Sequence, residues 1–143
     1  MSIDGIYDQN NIFKKIIRGE APAIKVYEDD KHLAFMDIFP ESRGHTLVIP
    51  KVDSRNYLDL PADVIGEYMF VVQKVARAVC NALSPDGVRI MQYNGEEATQ
   101  TVFHVHFHIV PCYRGIPLTA HAKGAASRAE LEEIAARIRQ HIS

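Results

Sequence analysis

Thr101-Val102-Phe103-His104-Val105-His106-Phe107-His108-Ile109-Val110-Pro111 is the segment from which the 143-residue chain is best understood. Its valine, phenylalanine and isoleucine favour strands. Pro111, which has no backbone N–H to offer a neighbour, is expected to end the strand. A strand repeats every two residues, so His104, His106 and His108 should share one face and Val105, Phe107 and Ile109 the other. Packing alone gives little reason to line up three imidazoles. A row of them suggests a site that binds metal or moves phosphoryl or acyl groups.

Outward from this segment the pattern alternates short strands with helices. Ile12, Phe13, Ile16 and Ile17 have helical spacing, with Asn10 or Asn11 as cap and Gly19 as stop. Residues 1–9 are polar and expected to be loose. Strands are expected at 24–27 and 33–37, joined by the polar turn Glu28-Asp29-Asp30-Lys31, and at 45–49 before Pro50. Pro61 opens a long helix whose apolar stripe is Val64, Tyr68, Val71, Val72, Val75, Val79 and Leu83. A fourth strand covers 88–93, and the histidine strand is the fifth. Ser127 and Glu130 have capping-box spacing before a last helix at about 127–141. Hairpins with inserted helices indicate an α+β fold on a mostly antiparallel sheet, and 143 residues suffice for one domain, 1–143.

The chain is 47% hydrophobic and 24% charged, with a formal net charge of −2. No basic block suggests a nucleic-acid surface. No apolar run reaches the ~18 residues of a membrane span, and the N-terminus has no signal pattern, so the cytoplasm is the expected compartment. Cys80 and Cys112 do not make a disulfide framework.

Two chemistries suit the histidine row. Two imidazoles at alternate strand positions can converge on Zn²⁺, with His45 as a further ligand, which would make a zinc-dependent hydrolase. Alternatively, neutral imidazole is a nucleophile near pH 7. His106 would then attack phosphorus while its neighbours fix its tautomer and supply protons. The donor-rich Asn94-Gly95-Glu96-Glu97-Ala98-Thr99-Gln100-Thr101 segment could hold phosphate.

His104-Val105-His106-Phe107-His108-Ile109-Val110 matches His-φ-His-φ-His-φ-φ, where φ is apolar, and so resembles the signature of the histidine triad (HIT) family of nucleotide hydrolases and transferases. Ile12–Ile17, Leu33–Ile38, Gly44–Lys51, Asn94-Gly95 and Gln100-Thr101-Val102 resemble family segments in the same order, so the likeness spans about residues 10–113. The resemblance implies a HIT-like α+β fold: a five-stranded antiparallel sheet with two main helices, to which this chain adds a C-terminal helix. It also implies a homodimer and a purine nucleotide substrate, cleaved at the α-phosphate through a nucleotidyl-histidine intermediate. Transferred by position, His106 is the nucleophile, oriented by His108 and His45. His104, Gln100, Thr101 and Asn94 surround the phosphate and leaving group. Asp37 holds the ribose, and Phe13, Ile16, Phe35 and Ile38 enclose the base. Nucleoside phosphoramidates and dinucleoside polyphosphates are both in scope, with residues 112–125 expected to influence the leaving group. No cofactor is required, although a divalent cation could accompany a polyphosphate. Many bacterial members carry a structural zinc on Cys-x-x-Cys and a later histidine. Asn11, Lys14 and Asp53 stand at those positions here, so that zinc site looks lost. A nucleotide-binding partner protein with little catalysis is the remaining alternative, and the complete triad argues against it.

Overall fold

In the computed structural model, which describes residues 3–119 and 125–143, the strands are β1 (Lys25–Glu28), β2 (His32–Met36), β3 (Thr46–Pro50), β4 (Gly87–Met91) and β5 (Phe107–Cys112). They form one antiparallel sheet in the order β1-β2-β3-β5-β4. The helices are α1 (Ile12–Ile17), α2 (Ala62–Leu83) and α3 (Arg128–Arg139). This is the expected α+β architecture.

Local chemistry explains the elements. Asn11 caps α1, its side chain accepting the Lys14 N–H at 3.0 Å. The Asp29 carboxylate accepts the N–H groups of Lys31 and His32, both at 2.8 Å, and closes the β1–β2 turn. Pro61 directly precedes α2, and Ser127 caps α3 by accepting the Glu130 N–H at 3.1 Å. Gly44 has φ +96°, and a Cβ there would fall 2.3 Å from the Leu83 side chain, so glycine is required where the chain enters β3.

Strand alternation gives the sheet two apolar faces. Ala34, Met36, Val48 and Ile109 point to one side, where they meet Tyr68, Val72, Val75 and Val79 of α2 and Leu131, Ile134 and Ile138 of α3. Leu33, Phe35, Leu47 and Ile49 point to the other, where Phe13 and Ile16 of α1 cover them and Ile17, Ala21, Ala23 and Val102 pack at the margin.

Two expectations need revision. The histidine segment is not one continuous strand: β5 begins at Phe107 and runs through Pro111 to Cys112. Before Phe107 the backbone bonds leave the sheet, the Val105 N–H donating to Ser54 O at 2.9 Å. Gln100 ties the segment to Arg55 O and Val102 O. Pro111 is tolerated because β3 stops pairing with β5 at Ile109. The Pro111 carbonyl instead accepts the Ser42 hydroxyl at 2.6 Å. The N-terminal stretch is also anchored where the chain is described. Asn56 donates to Ile3 O at 2.8 Å, and Tyr7 hydrogen-bonds His104.

Candidate active site

A cavity of about 350 Å³ opens on the α1 face of the sheet. Ile12, Phe13 and Ile16 of α1 form one wall, continued by Ala21, Pro22 and Ala23; Phe35 and Leu47 form the floor, and Met36, whose side chain belongs to the opposite face, borders it. Asp37, Ile38 and Phe39 follow β2, and Thr101, Val102, His106 and His108 close the remaining side. The lining is mostly apolar and its polar groups are gathered at one side, the form of a small-molecule site. Ile12 and Ile38 are about half exposed at its rim.

The cross-strand register positions these groups. Phe35 lies opposite Leu47, and Leu47 opposite His108. The three therefore form a row across β2, β3 and β5. His106 precedes β5, with its ring 4.9 Å from that of His108. Phe13 presents an edge-to-face contact to His106 at 4.9 Å and 87°, and another to Phe35 at 5.3 Å.

Hydrogen-bond partners determine which nitrogens carry protons. His106 Nδ1 lies 2.7 Å from His104 O. A carbonyl can only accept, so Nδ1 carries the proton and Nε2 the lone pair. The Glu41 N–H donates to His45 Nδ1 at 3.0 Å, which leaves the His45 proton on Nε2. That Nε2–H faces His108 Nδ1 at 3.0 Å, with Asp37 Oδ2 3.5 Å away. His108 therefore accepts on Nδ1 and carries its own proton on Nε2. The cavity thus pairs the lone pair on His106 Nε2 with the N–H of the neighbouring His108 ring, and no lysine or arginine is among the lining residues described.

The sequence candidates divide into two groups. Phe13, Ile16, Phe35, Asp37, Ile38, Thr101, His106 and His108 line the cavity, and His45 stands directly behind His108. His104, Gln100 and Asn94 are placed elsewhere. His104 is fully buried, with Nε2 on Pro50 O at 2.8 Å and Nδ1 on the Tyr7 hydroxyl. Burial holds its pKa down at about 4, with the positive charge of Lys14 adding to the effect. It falls off the shared histidine face because strand periodicity does not extend upstream of Phe107. Gln100 is buried, accepting the Gly95 N–H and donating to Arg55 O. Asn94 accepts the Tyr57 N–H and makes a reciprocal amide pair with Gln92. The loop from Asn94 thus braces the triad segment, with Thr101 as its contribution to the lining. Within the 112–125 stretch, residues 120–124 lie outside the described residues.

Sequence reasoning missed Ile12, Ala21, Pro22, Ala23, Met36, Phe39, Leu47 and Val102 in the lining, the Glu41 N–H that sets the His45 tautomer, and Tyr7. Leu47 was recoverable, since period two along the expected third strand places it on one face with Ile49. A backbone N–H and a partner 97 positions away leave no sequence signal.

Two places bear on metal. Asp37, His45 and His108 offer ligand atoms within 4.8 Å of one another, a spacing a cation could use. The Glu41 N–H opposes it, because it leaves the His45 proton on Nε2, the nitrogen that would have to ligate. At the positions matching the family's structural zinc, Lys14 Nζ forms an ion pair with Asp53 Oδ1 at 2.5 Å, and Gln9 donates to Asp53 Oδ2 at 2.6 Å. An ammonium in that position does not fit a zinc site.

A family model described as the HIT domain matches residues 18–115. Protein hit of Bacillus subtilis is 46% identical over 105 residues, 73% of this chain and 72% of its own. Adenosine 5'-monophosphoramidase hnt1 of Schizosaccharomyces pombe is 41% identical over 100 residues, covering 70% and 72%. Among solved structures, a Hit-like protein from Bartonella henselae superposes with TM-score 0.88 at 48% identity, covering 95% of this chain and 99% of its own. A zinc-bound histidine triad family protein from Mycobacterium smegmatis gives 0.82 at 37% identity, covering 94% of each. Among the described residues, no helix is long and apolar enough to cross a membrane.

Proposed function

From the premise that this chain belongs to the HIT family, we propose that it is a cytoplasmic nucleotidyl hydrolase. It acts at the α-phosphate of purine nucleoside phosphoramidates or dinucleoside polyphosphates. The observation carrying this reading is the complementary protonation of the adjacent His106 and His108 rings at the cavity. A relative named as an adenosine 5'-monophosphoramidase supports the phosphoramidate class.

In the proposed reaction, the base and ribose occupy the apolar cavity between Phe13, Ile16, Phe35 and Ile38, with Asp37 at the ribose. His106 Nε2 attacks the α-phosphorus. The bond to the leaving nitrogen or oxygen breaks as the His108 Nε2–H hydrogen-bonds that atom, an amine leaving with a proton taken from solvent and a phosphate leaving as its anion. The His106 ring gains positive character, which strengthens its Nδ1–H bond to His104 O. The His45 Nε2–H keeps its hydrogen bond to His108 Nδ1 and so holds the His108 proton on Nε2. Water then attacks the phosphorus of the nucleotidyl-histidine, its proton passes to solvent, and the P–N bond to His106 breaks, restoring the neutral ring and releasing the nucleoside monophosphate. Thr101 and the His108 N–H face the charge that develops on phosphate oxygens.

A substrate panel of adenosine phosphoramidate and diadenosine polyphosphates, labelled at the α-phosphate and quenched rapidly in base, tests both class and mechanism. A protein-bound label is expected in the native chain and none in His106→Ala, whose turnover should fall more than about a thousandfold, ~4 kcal/mol of barrier. Activity of His106→Ala within about tenfold of the native chain would overturn the reading.

A homodimer is part of this proposal. β4 ends the sheet order with an open edge, Val88 and Ile90 are exposed along it, and Phe70 of α2 is 64% exposed. Such an edge is usually covered. Light scattering should give about twice the 16.1 kDa of one chain, and a monomer mass at micromolar concentration would refute it.

A further inference from the structure

Behind the cavity, on the side away from substrate, the N-terminal segment holds a residue of the triad. Ile3 is tied to Asn56, and Gly5 packs so closely on Arg55 that a Cβ there would fall 3.1 Å from the guanidinium carbon. The chain then delivers Tyr7 to His104. The His104 ring is fixed at both nitrogens. Pro50 O can only accept, so His104 Nε2 is its proton-bearing atom, and Nδ1 must accept from the Tyr7 hydroxyl. Burial keeps this ring neutral, with a pKa held down to about 4, so the tautomer persists across the neutral range. The same residue supplies, through its carbonyl, the acceptor for His106 Nδ1–H at 2.7 Å.

We propose that Tyr7 is a positioning residue for the nucleophile: by donating to His104 Nδ1 it fixes the ring of His104, thereby aiming the His104 carbonyl that holds the His106 proton on Nδ1 and the lone pair on Nε2. The inference rests on the reading of His106 as the nucleophile. It gives the N-terminal segment a role in the reaction although Tyr7 touches neither substrate nor His106. The Tyr7 ring also meets the His104 ring edge-on, with centroids 5.7 Å apart at 70°. Tyr7→Phe therefore removes the hydroxyl while keeping the contact.

The test compares Tyr7→Phe with the native chain in steady-state hydrolysis of adenosine phosphoramidate, together with nitrogen-15 imidazole spectra of both. kcat should fall about three- to tenfold, the scale of one buried hydrogen bond, with KM within about twofold. The His104 Nδ1 resonance should move toward that of a nitrogen without a donor, and the His106 Nδ1 proton should exchange faster. Unchanged kcat, a KM that rises in step with a falling kcat, or unmoved histidine resonances would each overturn the proposal. If Tyr7→Phe does not fold, the native spectrum decides: a proton on His104 Nδ1 refutes it, and one on Nε2 supports it. His106→Ala run alongside separates the two readings. Full activity there removes the nucleophile assignment itself, whereas full activity in Tyr7→Phe alone removes only the role of Tyr7.

Discussion

β2 and β3 supply both faces of the sheet, yet the two faces are finished differently. On one, α2 and α3 bring long apolar stripes, and Ala34, Met36, Val48 and Ile109 are sealed beneath them. On the other, the six-residue α1 brings Phe13 and Ile16 over Leu33, Phe35, Leu47 and Ile49, and its Phe13 reaches His106 while a cavity stays open beside His106 and His108. The same alternation of side chains thus gives a core where the covering helices are long and a cavity where the covering helix is short. The closed face should govern stability, and the open face should govern what is bound.

The sharpest way to break that division is to cut equally large side chains from each face. Ile134 of α3 is 2% exposed within the helix-side cluster. Ile134→Ala should lose about 3–4 kcal/mol of unfolding free energy through lost burial and the cavity it leaves. KM at 25 °C should not change. Ile38, half exposed at the rim of the open face, should show the reverse, with stability within about 0.5 kcal/mol and a raised KM. Urea unfolding beside steady-state kinetics decides, and a matched loss of stability in both variants would erase the distinction.

His104 sits where the two regimes meet, and acid reports on it. Its folded pKa is about 4 against 6.5 for the ordinary ring. Between those values the unfolded chain binds a proton that the folded chain refuses, so stability falls as pH falls through this window and does not depend on this ring above it. At about 1.4 kcal/mol per pH unit the loss approaches 3 kcal/mol by pH 4. His104→Gln should be less stable at pH 7 and show a flatter profile from pH 6.5 to 4. An equally steep profile in that variant would assign the acid sensitivity to other groups.

The sequence made the two faces legible where local rules govern. Period two in β2 and β3, the Pro61 start of α2 and the Asn11 and Ser127 caps needed nothing beyond neighbouring residues. The fold followed; Phe13, Phe35, Asp37, His106 and His108, to which the family resemblance gave site roles, lie in the lining. Residue type is a weaker guide where the backbone leaves the sheet. His104, Gln100 and Asn94 have donors and acceptors that suit a phosphate, but they spend them on Pro50, Arg55, Gly95, Gln92 and Tyr57. Those partners are distant in sequence or belong to the backbone, and residue type does not announce them. The family resemblance implies a place near the phosphate for the same three residues; a motif transfers identity and not the hydrogen-bond partners a side chain takes.

Asp37 offers the finest test of the comparison, since one carboxylate serves both purposes. Its Oδ1 accepts the Phe39 N–H at 2.8 Å and shapes the turn after β2, while Oδ2 lies near His45 and the residue lines the cavity. A ribose diol donates two hydrogen bonds, and a carboxylate accepts both with charge assistance. Asp37→Asn keeps a carbonyl oxygen for the Phe39 N–H and removes the charge. If the residue acts on the open face, KM for a ribose substrate should rise about five- to tenfold, about 1 kcal/mol of binding. The 2′-deoxyribose analogue, which already lacks one donor, should change less, and the unfolding midpoint should stay within a few degrees. If both sugars weaken equally and the midpoint drops, Asp37 belongs to the turn. The ribose contact would then have to come from another group of the lining.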